Sequence, residues 1–235
     1  MTASGAGASR RPRIAVLDYG MGNLRSVAKA LEHVGADVER TAEVERLHGA
    51  HGLVLPGVGA FPRAMAEVHA HGFDELLRAR LDRGVPVLGI CLGMQLLFDG
   101  SEELGGAEGL GLIHGEVRRL AAPALKLPQI GWNAVGWRRP SPITDGLPQP
   151  SAFYHVHSFA PVPTDPKAVV GTATYGEAFV SVVAQGQVFG VQFHPEKSGP
   201  DGLALLASFV RLAGAGASAS DEREAEPSRP AAAAR

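Results

Sequence analysis

The sequence predicts an α/β fold, with an open, mixed, mostly parallel sheet flanked by helices and additional antiparallel strands in the C-terminal half. Three observations predict it. As far as Phe98, short apolar runs of strand length alternate with segments whose apolar residues recur at helical spacing, and strand then helix, repeated, describes a parallel sheet covered on both faces. After about Gly109 the pattern changes to short strands separated by Gly and Pro turns. The chain's 235 residues, 45% hydrophobic and 20% charged, suffice for one sizeable core rather than two.

The first strand, Ile14–Leu17, ends at Asp18 and leads into a Gly-rich turn, Tyr19-Gly-Met-Gly22. Asn23, a capping residue type, opens a helix in which Val27, Leu31 and Val34 share one face, and Gly35 ends it. A strand around Val38, another at Leu53–Leu55, helices over Pro62–Ala70 and Phe73–Arg83, and a strand over Val85–Ile90 continue the alternation. The later strands are Val117–Leu120, Ala134–Trp137, Phe153–Phe159, Val169–Thr174, Phe179–Ala184 and Val188–Phe193, with Gln185-Gly186 as a hairpin turn between the last two. A helix over about Asp201–Leu212 closes the fold. The ends, dominated by Ala, Gly, Ser, Pro and charged residues, cannot bury enough apolar surface to offset their ordering entropy. One domain over 13–213 is therefore expected, between a disordered N-terminal extension (1–12) and a disordered C-terminal tail (214–235).

Composition narrows the function. With 22 basic against 24 acidic residues and a formal charge of −2, the chain offers no electrostatic footprint for nucleic acid or an anionic membrane. A single cysteine excludes an intrachain disulfide and a Cys-rich zinc site. No apolar run approaches the roughly 20 residues that span a bilayer, and Met1–Pro12 has no apolar signal core, so a reducing cytoplasm is the expected location.

That cysteine falls at a strand-to-helix junction, in Gly89-Ile-Cys-Leu-Gly93, which is a nucleophile elbow with cysteine in the serine place. The glycines fit a turn too tight for a Cβ. A helix N-terminus and a nearby imidazole both favour the thiolate, the reactive form. Phe193-His-Pro-Glu196 follows the strand Val188–Phe193, at the edge where α/β sheets place ligands. Pro195 biases His194 toward an extended conformation, so that His194 and Glu196 project to similar sides and the carboxylate can orient the imidazole. Histidine titrates close enough to neutrality to take and return a proton. In Leu55-Pro-Gly-Val-Gly-Ala-Phe61 two glycines around Val58 permit backbone angles that aim N–H groups into a cavity, as an oxyanion hole requires. His48, His51, His69 and His71 have spacings compatible with a metal but no accompanying carboxylate or cysteine set, so they read as solvent-facing and no metal is expected.

Pro56-Gly-Val-Gly59, Gly89-Ile-Cys-Leu-Gly-Met-Gln95 and His194-Pro-Glu196, in that order, resemble the class I glutamine amidotransferases, whose fold is flavodoxin-like and which use a Cys-His-Glu triad. Asp18-Tyr-Gly-Met-Gly-Asn-Leu-Arg-Ser26, Gly131-Trp-Asn133, His155-Val-His-Ser-Phe159 and His194-Pro-Glu-Lys-Ser198 are similar, within that class, to the glutaminase subunit of imidazole glycerol phosphate synthase. The resemblance spans about Arg13 to Leu212. It implies hydrolysis of L-glutamine to glutamate and ammonia, with no cofactor. Ammonia would pass to a cyclase subunit, a (β/α)₈ barrel bound as a heterodimer, which forms imidazole glycerol phosphate and aminoimidazole carboxamide ribotide in histidine synthesis. It further implies Cys91 as nucleophile, His194 as base and then acid, and Glu196 as orienter. The N–H groups of Leu92 and, after reorientation of the Pro56–Gly59 segment, Val58 would form the oxyanion hole. Gly57, Gln95, His157 and Ser158 would hold glutamine, and Lys197 would face the cyclase. Amidotransferase subunits serving pyridoxal phosphate, anthranilate or purine synthesis share the triad, but Lys197-Ser198 and the Tyr19–Ser26 segment favour the histidine enzyme. An intact triad argues against a non-catalytic scaffold.

Overall fold

The computed structural model describes residues 11–225, with 217–225 as backbone only. In chain order the elements are β1 (Arg13–Leu17), α1 (Leu24–His33), β2 (Asp37–Thr41), α2 (Val44–Leu47), β3 (Gly52–Gly57), α3 (Phe61–Ala70), α4 (Phe73–Asp82), β4 (Val87–Cys91) and α5 (Leu92–Leu96). There follow β5 (Gly100–Ser101), β6 (Ala107–Glu108), β7 (Gly115–Arg119), β8 (Gln129–Trp137), β9 (Ser151–His157), β10 (Phe159–Pro163), β11 (Val169–Tyr175), β12 (Glu177–Gln185), β13 (Val188–Val191) and α6 (Gly199–Ala225).

Nine strands form one sheet in the order β2-β1-β3-β4-β13-β12-β11-β8-β9. From β2 to β13 all pairings are parallel, which is the 2-1-3-4-5 order of flavodoxin-like folds with β13 in fifth place. Beyond β13 every pairing is antiparallel. The sheet is mixed, as expected, with a larger antiparallel share than the sequence suggests. β12 and β13 do form a hairpin, and Gly186 in its turn takes φ +57.

A second sheet, β10-β7-β5-β6, was not expected as a sheet, although the strand expected over Val117–Leu120 is its β7. The single strand expected over Phe153–Phe159 is in fact two, because the chain leaves the large sheet at Ser158 and enters the small one as β10. Period-two alternation along the buried strands divides the core between the faces of the large sheet. Ile14, Val16, Val54, Leu88 and Ile90 pack with Val27 and Leu31 of α1 and Leu205, Leu206 and Phe209 of α6. Ala15, Leu17, Leu53, Leu55 and Val87 pack with Phe61 and Met65 of α3 and Phe73, Leu76 and Leu77 of α4.

The described elements and contacts reach past both expected boundaries. Pro12 is already tied in, its carbonyl accepting the Asp37 N–H at 2.9 Å. α6 runs through Gly214 to Ala225 rather than stopping at Leu212. The expectation of disorder at 1–10 and 226–235 lies outside the described residues. Asn23 does sit at the start of α1, but its side chain caps nothing there.

Candidate active site

Three strand ends converge at the carboxyl edge of the parallel half. Gly57, the last residue of β3, stands in register with Cys91, the last of β4, and β13 pairs with β4 on its other side. Cys91 has φ +56 and ψ −111 and is 6% exposed, a strained backbone for a residue with a Cβ. The elbow glycines are steric necessities: a Cβ at Gly89 would lie 2.6 Å from Gly93 O, and one at Gly93 would lie 1.8 Å from Leu55 O. Because α5 has only five residues, its dipole gives the sulfur less support than the sequence reading assumed.

His194 is 4% exposed, and its backbone N–H donates to Tyr154 O at 2.9 Å. Its Nδ1 lies 3.0 Å from Glu196 Oε1, and the Glu196 side chain is fully buried. His194 is extended, as Pro195 predicts, at φ −99 and ψ 95, but the extended run does not continue to Glu196. Pro195–Lys197 form a 3₁₀ turn instead, and Ser198 clamps it, its hydroxyl donating to His194 O at 2.6 Å and accepting the Tyr154 N–H at 3.0 Å. Asn23, freed from capping, donates its amide to Glu196 Oε1 at 3.4 Å, while Glu196 Oε2 has no hydrogen-bond partner. Burial works against a charge on His194, but hydrogen bonds to Cys91 and Glu196 outweigh it and push its pKa up to about 9.

Cys91 and His194 open onto a cleft of about 240 Å³, the right order for one amino acid, lined also by Val58, Leu92, Gln95, His157 and Ser158. Leu92 opens α5, so its N–H has no acceptor within the helix and is available to a ligand. Gln95 is 5% exposed and donates its Nε2 to Phe159 O at 3.0 Å. Both ring nitrogens of His157 are engaged by the protein, Nδ1 with Phe159 O at 2.8 Å and Nε2 with Gln129 at 3.1 Å, so His157 contributes a wall rather than a free hydrogen bond. Burial drives its pKa down to about 4, and burial together with the charge of His157 takes His155, behind it, to about 3.

Gly57 stands behind the cleft rather than in its lining. A Cβ there would meet the Tyr19 hydroxyl at 2.7 Å and Gly93 N at 2.9 Å, so it serves close packing. That hydroxyl donates to Pro56 O at 2.5 Å and fixes the peptide at the root of the Val58 loop. Lys197 is exposed on the outer side of the triad turn.

Sequence reasoning missed Glu103, which lines the cleft while its Oε2 accepts the Phe61 N–H at 2.8 Å. An acidic residue in an irregular loop carries no periodic signal. Of the histidines read as solvent-facing, His69 pairs with Asp74 at 2.9 Å, His71 with Glu67 O at 2.8 Å, His51 accepts the Arg13 N–H at 3.1 Å, and His48 is exposed. Among the described residues no cluster of three or more His, Cys, Asp or Glu is placed to hold a metal, and no helix is long and apolar enough to cross a membrane.

The fold and this cleft are those of an amidotransferase, and the family profile for glutamine amidotransferase class-I matches residues 15–212, so the chain belongs to that class. Solved structures agree on the fold. PurLQS from Thermotoga maritima superposes with a TM-score of 0.69 at 22% identity, covering 86% of this chain and 98% of that one. A chain described as a glutamine amidotransferase superposes with a TM-score of 0.66 at 23% identity over the same shares. Within the class the chain belongs to the family of imidazole glycerol phosphate synthase subunit HisH. It is 50% identical over 199 residues to that protein of Moorella thermoacetica (85% of this chain, 94% of the relative). Against that of Deinococcus radiodurans it is 48% identical over 202 residues (85% and 94%).

Proposed function

We propose that this chain is the glutaminase subunit of imidazole glycerol phosphate synthase, hydrolysing L-glutamine through Cys91, His194 and Glu196 and passing the ammonia to a cyclase subunit. The observation that carries the reading is the buried His194–Glu196 pair at 3.0 Å, with His194 and Cys91 lining the same amino-acid-sized cleft. The Cys91 thiolate, paired with the His194 imidazolium, attacks the glutamine side-chain carbonyl carbon. The oxyanion is met by the N–H of Leu92 and, once its loop has turned, of Val58. As the C–N bond breaks, His194 gives its proton to the leaving nitrogen and ammonia departs, leaving a glutamyl thioester and a neutral imidazole. His194 then takes a proton from water as the hydroxide attacks the thioester carbonyl; the C–S bond breaks, and glutamate and the thiolate–imidazolium pair are restored. Glu196 fixes which ring nitrogen faces the sulfur. Glu103, the one carboxylate in the cleft lining, suits the α-ammonium of the substrate.

The partner is a (β/α)₈-barrel cyclase bound as a heterodimer, making imidazole glycerol phosphate and aminoimidazole carboxamide ribotide. Lys197 supports the docking face, as do the exposed Ile130 and Trp132 of β8, with Trp132 reaching Gly199 just beyond the triad turn. Isolated, undocked Ile and Trp side chains at 63% and 57% exposure on adjacent same-side positions form an apolar patch that a partner would cover.

The test is synthesis by the reconstituted complex with glutamine or with an ammonium salt. Cys91→Ser should abolish the glutamine-dependent reaction and spare the ammonium-dependent one. Glutamine-dependent turnover above about 1% of wild type would remove Cys91 from the mechanism. Glutaminase activity that responds to another acceptor subunit and not to the cyclase would overturn the assignment of partner.

A further inference from the structure

Gln192 lies between β13 and His194 and is fully buried, yet the mechanism above gives it no part. A buried carboxamide must be satisfied at both ends, and here its two ends reach two members of the site. Its Oε1 accepts from Gln95 Nε2 at 3.1 Å, and its Nε2 faces Cys91 Sγ at 3.9 Å. The orientation follows from the network. Phe159 O can only accept, so Gln95 must turn its nitrogen to it, at 3.0 Å, and the second hydrogen of that nitrogen meets Gln192 Oε1. Only the nitrogen of Gln192 is then left to face the sulfur.

The sulfur has a second polar neighbour of opposite sense. Cys91 Sγ lies 3.6 Å from Val156 O, a carbonyl that accepts a hydrogen bond from the thiol and repels the thiolate. A nucleophile needed as an anion beside a carbonyl oxygen requires a donor on another side besides the imidazolium. We propose that Gln192 is a positioning residue for the nucleophile, its amide N–H holding the Cys91 sulfur in the anionic form against the Val156 carbonyl while its amide oxygen locks Gln95. The 3.9 Å separation is within reach of a hydrogen bond to sulfur, and such bonds shorten when the acceptor is ionised. The proposal rests on the reading of Cys91 as nucleophile.

Cys91 is the only cysteine in the chain, so alkylation by iodoacetamide, a neutral reagent, reports on that sulfur alone. The rate is measured against pH for the full-length protein and two variants. Gln192→Met keeps the bulk and removes the donor, whereas Gln192→Glu keeps the shape and the acceptor toward Gln95 but turns an oxygen toward the sulfur. In Gln192→Met the acid-limb midpoint should rise by about one pH unit, a tenfold loss of rate on that limb, the size of one hydrogen bond to a charged group. Gln192→Glu should move it further. The limiting rate at high pH should stay within about twofold of wild type, because access to the sulfur is unchanged. A midpoint equal to that of wild type in either variant that still melts cooperatively overturns the proposal. So does a fall in limiting rate alone, which would mark Gln192 as packing only. Because the readout is alkylation, this failure is distinct from retained glutamine turnover in Cys91→Ser.

Discussion

A single methyl group at Gly93 tests whether the nucleophile's position is set by backbone packing. A Cβ there would stand 1.8 Å from Leu55 O and 2.7 Å from Leu55 C, whereas ordinary contact begins at 3.4 Å. Both opposing atoms are backbone, so no side-chain rotation relieves the clash, and β3 must part from α5 by roughly 1.6 Å along that line. Overpacking that moves backbone costs about 1–3 kcal/mol, which in a domain of this size lowers the melting temperature by roughly 2–12 °C. The displacement falls on Cys91, two residues before Gly93, and on Pro56–Gly59, which follow Leu55, so both the proposed nucleophile and the loop proposed to meet the oxyanion lose register. A misplacement of about 1 Å at a reacting centre costs on the order of a hundredfold in rate. Gly93→Ala should therefore combine a lower melting temperature with a glutaminase kcat down about a hundredfold. Gly136→Ala is the control, since a Cβ there meets only Thr172 O at 4.0 Å, and its stability should stay within about 0.5 kcal/mol of wild type. If Gly93→Ala melts and turns over like Gly136→Ala, close approach of β3 and α5 is not what fixes the site.

The other predictions concern the histidines. His194→Ala should slow glutamyl-thioester formation by about 10²–10⁴-fold and Glu196→Gln by less, because the first removes the proton carrier and the second only its orienter; equal single-turnover rates in wild type and His194→Ala would refute the assignment. Stability should fall on both sides of about pH 6.5. Below it, His155 and His157, held at about 3 and about 4, resist protons that the unfolded chain accepts, so stability declines as the pH drops toward 4. Above it, the stabilisation of the His194 imidazolium, complete below about 6.5, is lost as the pH climbs through about 9. Urea midpoints measured across pH 4–9 check both limbs, and a flat acid limb would contradict the neutral burial of His155 and His157.

The elbow was legible because its glycines leave a spacing signature, and the structure supplies the reason in the Leu55 O contact at Gly93. His194 and Glu196 were legible as residue types and His194 as extended before Pro195, but the period-two continuation to Glu196 was not what formed: the chain turns into a 3₁₀ segment clamped by Ser198. Asn23 illustrates the limit of local reasoning, since its nature as a capping residue is the same whether it bonds its own helix or a carboxylate 173 positions away. Gln192 and Glu103 were invisible for a related reason, their partners being set by tertiary approach. The small sheet escaped notice because β5 and β6 have two residues each, too few to show alternation.

The place of β13 has a consequence for the chain as it is made. This strand is the last to be synthesised, yet it lies inside the sheet, between β4 and β12. A ribosome that has reached residue 187 has already delivered the thiol, but neither the imidazole, the carboxylate nor the Gln192 amide exists. In the folded sheet this four-residue strand pairs with β4 on one side and β12 on the other, so its insertion closes both edges and brings Gln192, His194 and Glu196 to Cys91 together. The groups that face Cys91 are thus tied to one strand, and the cleft cannot assemble until β13 has entered the sheet.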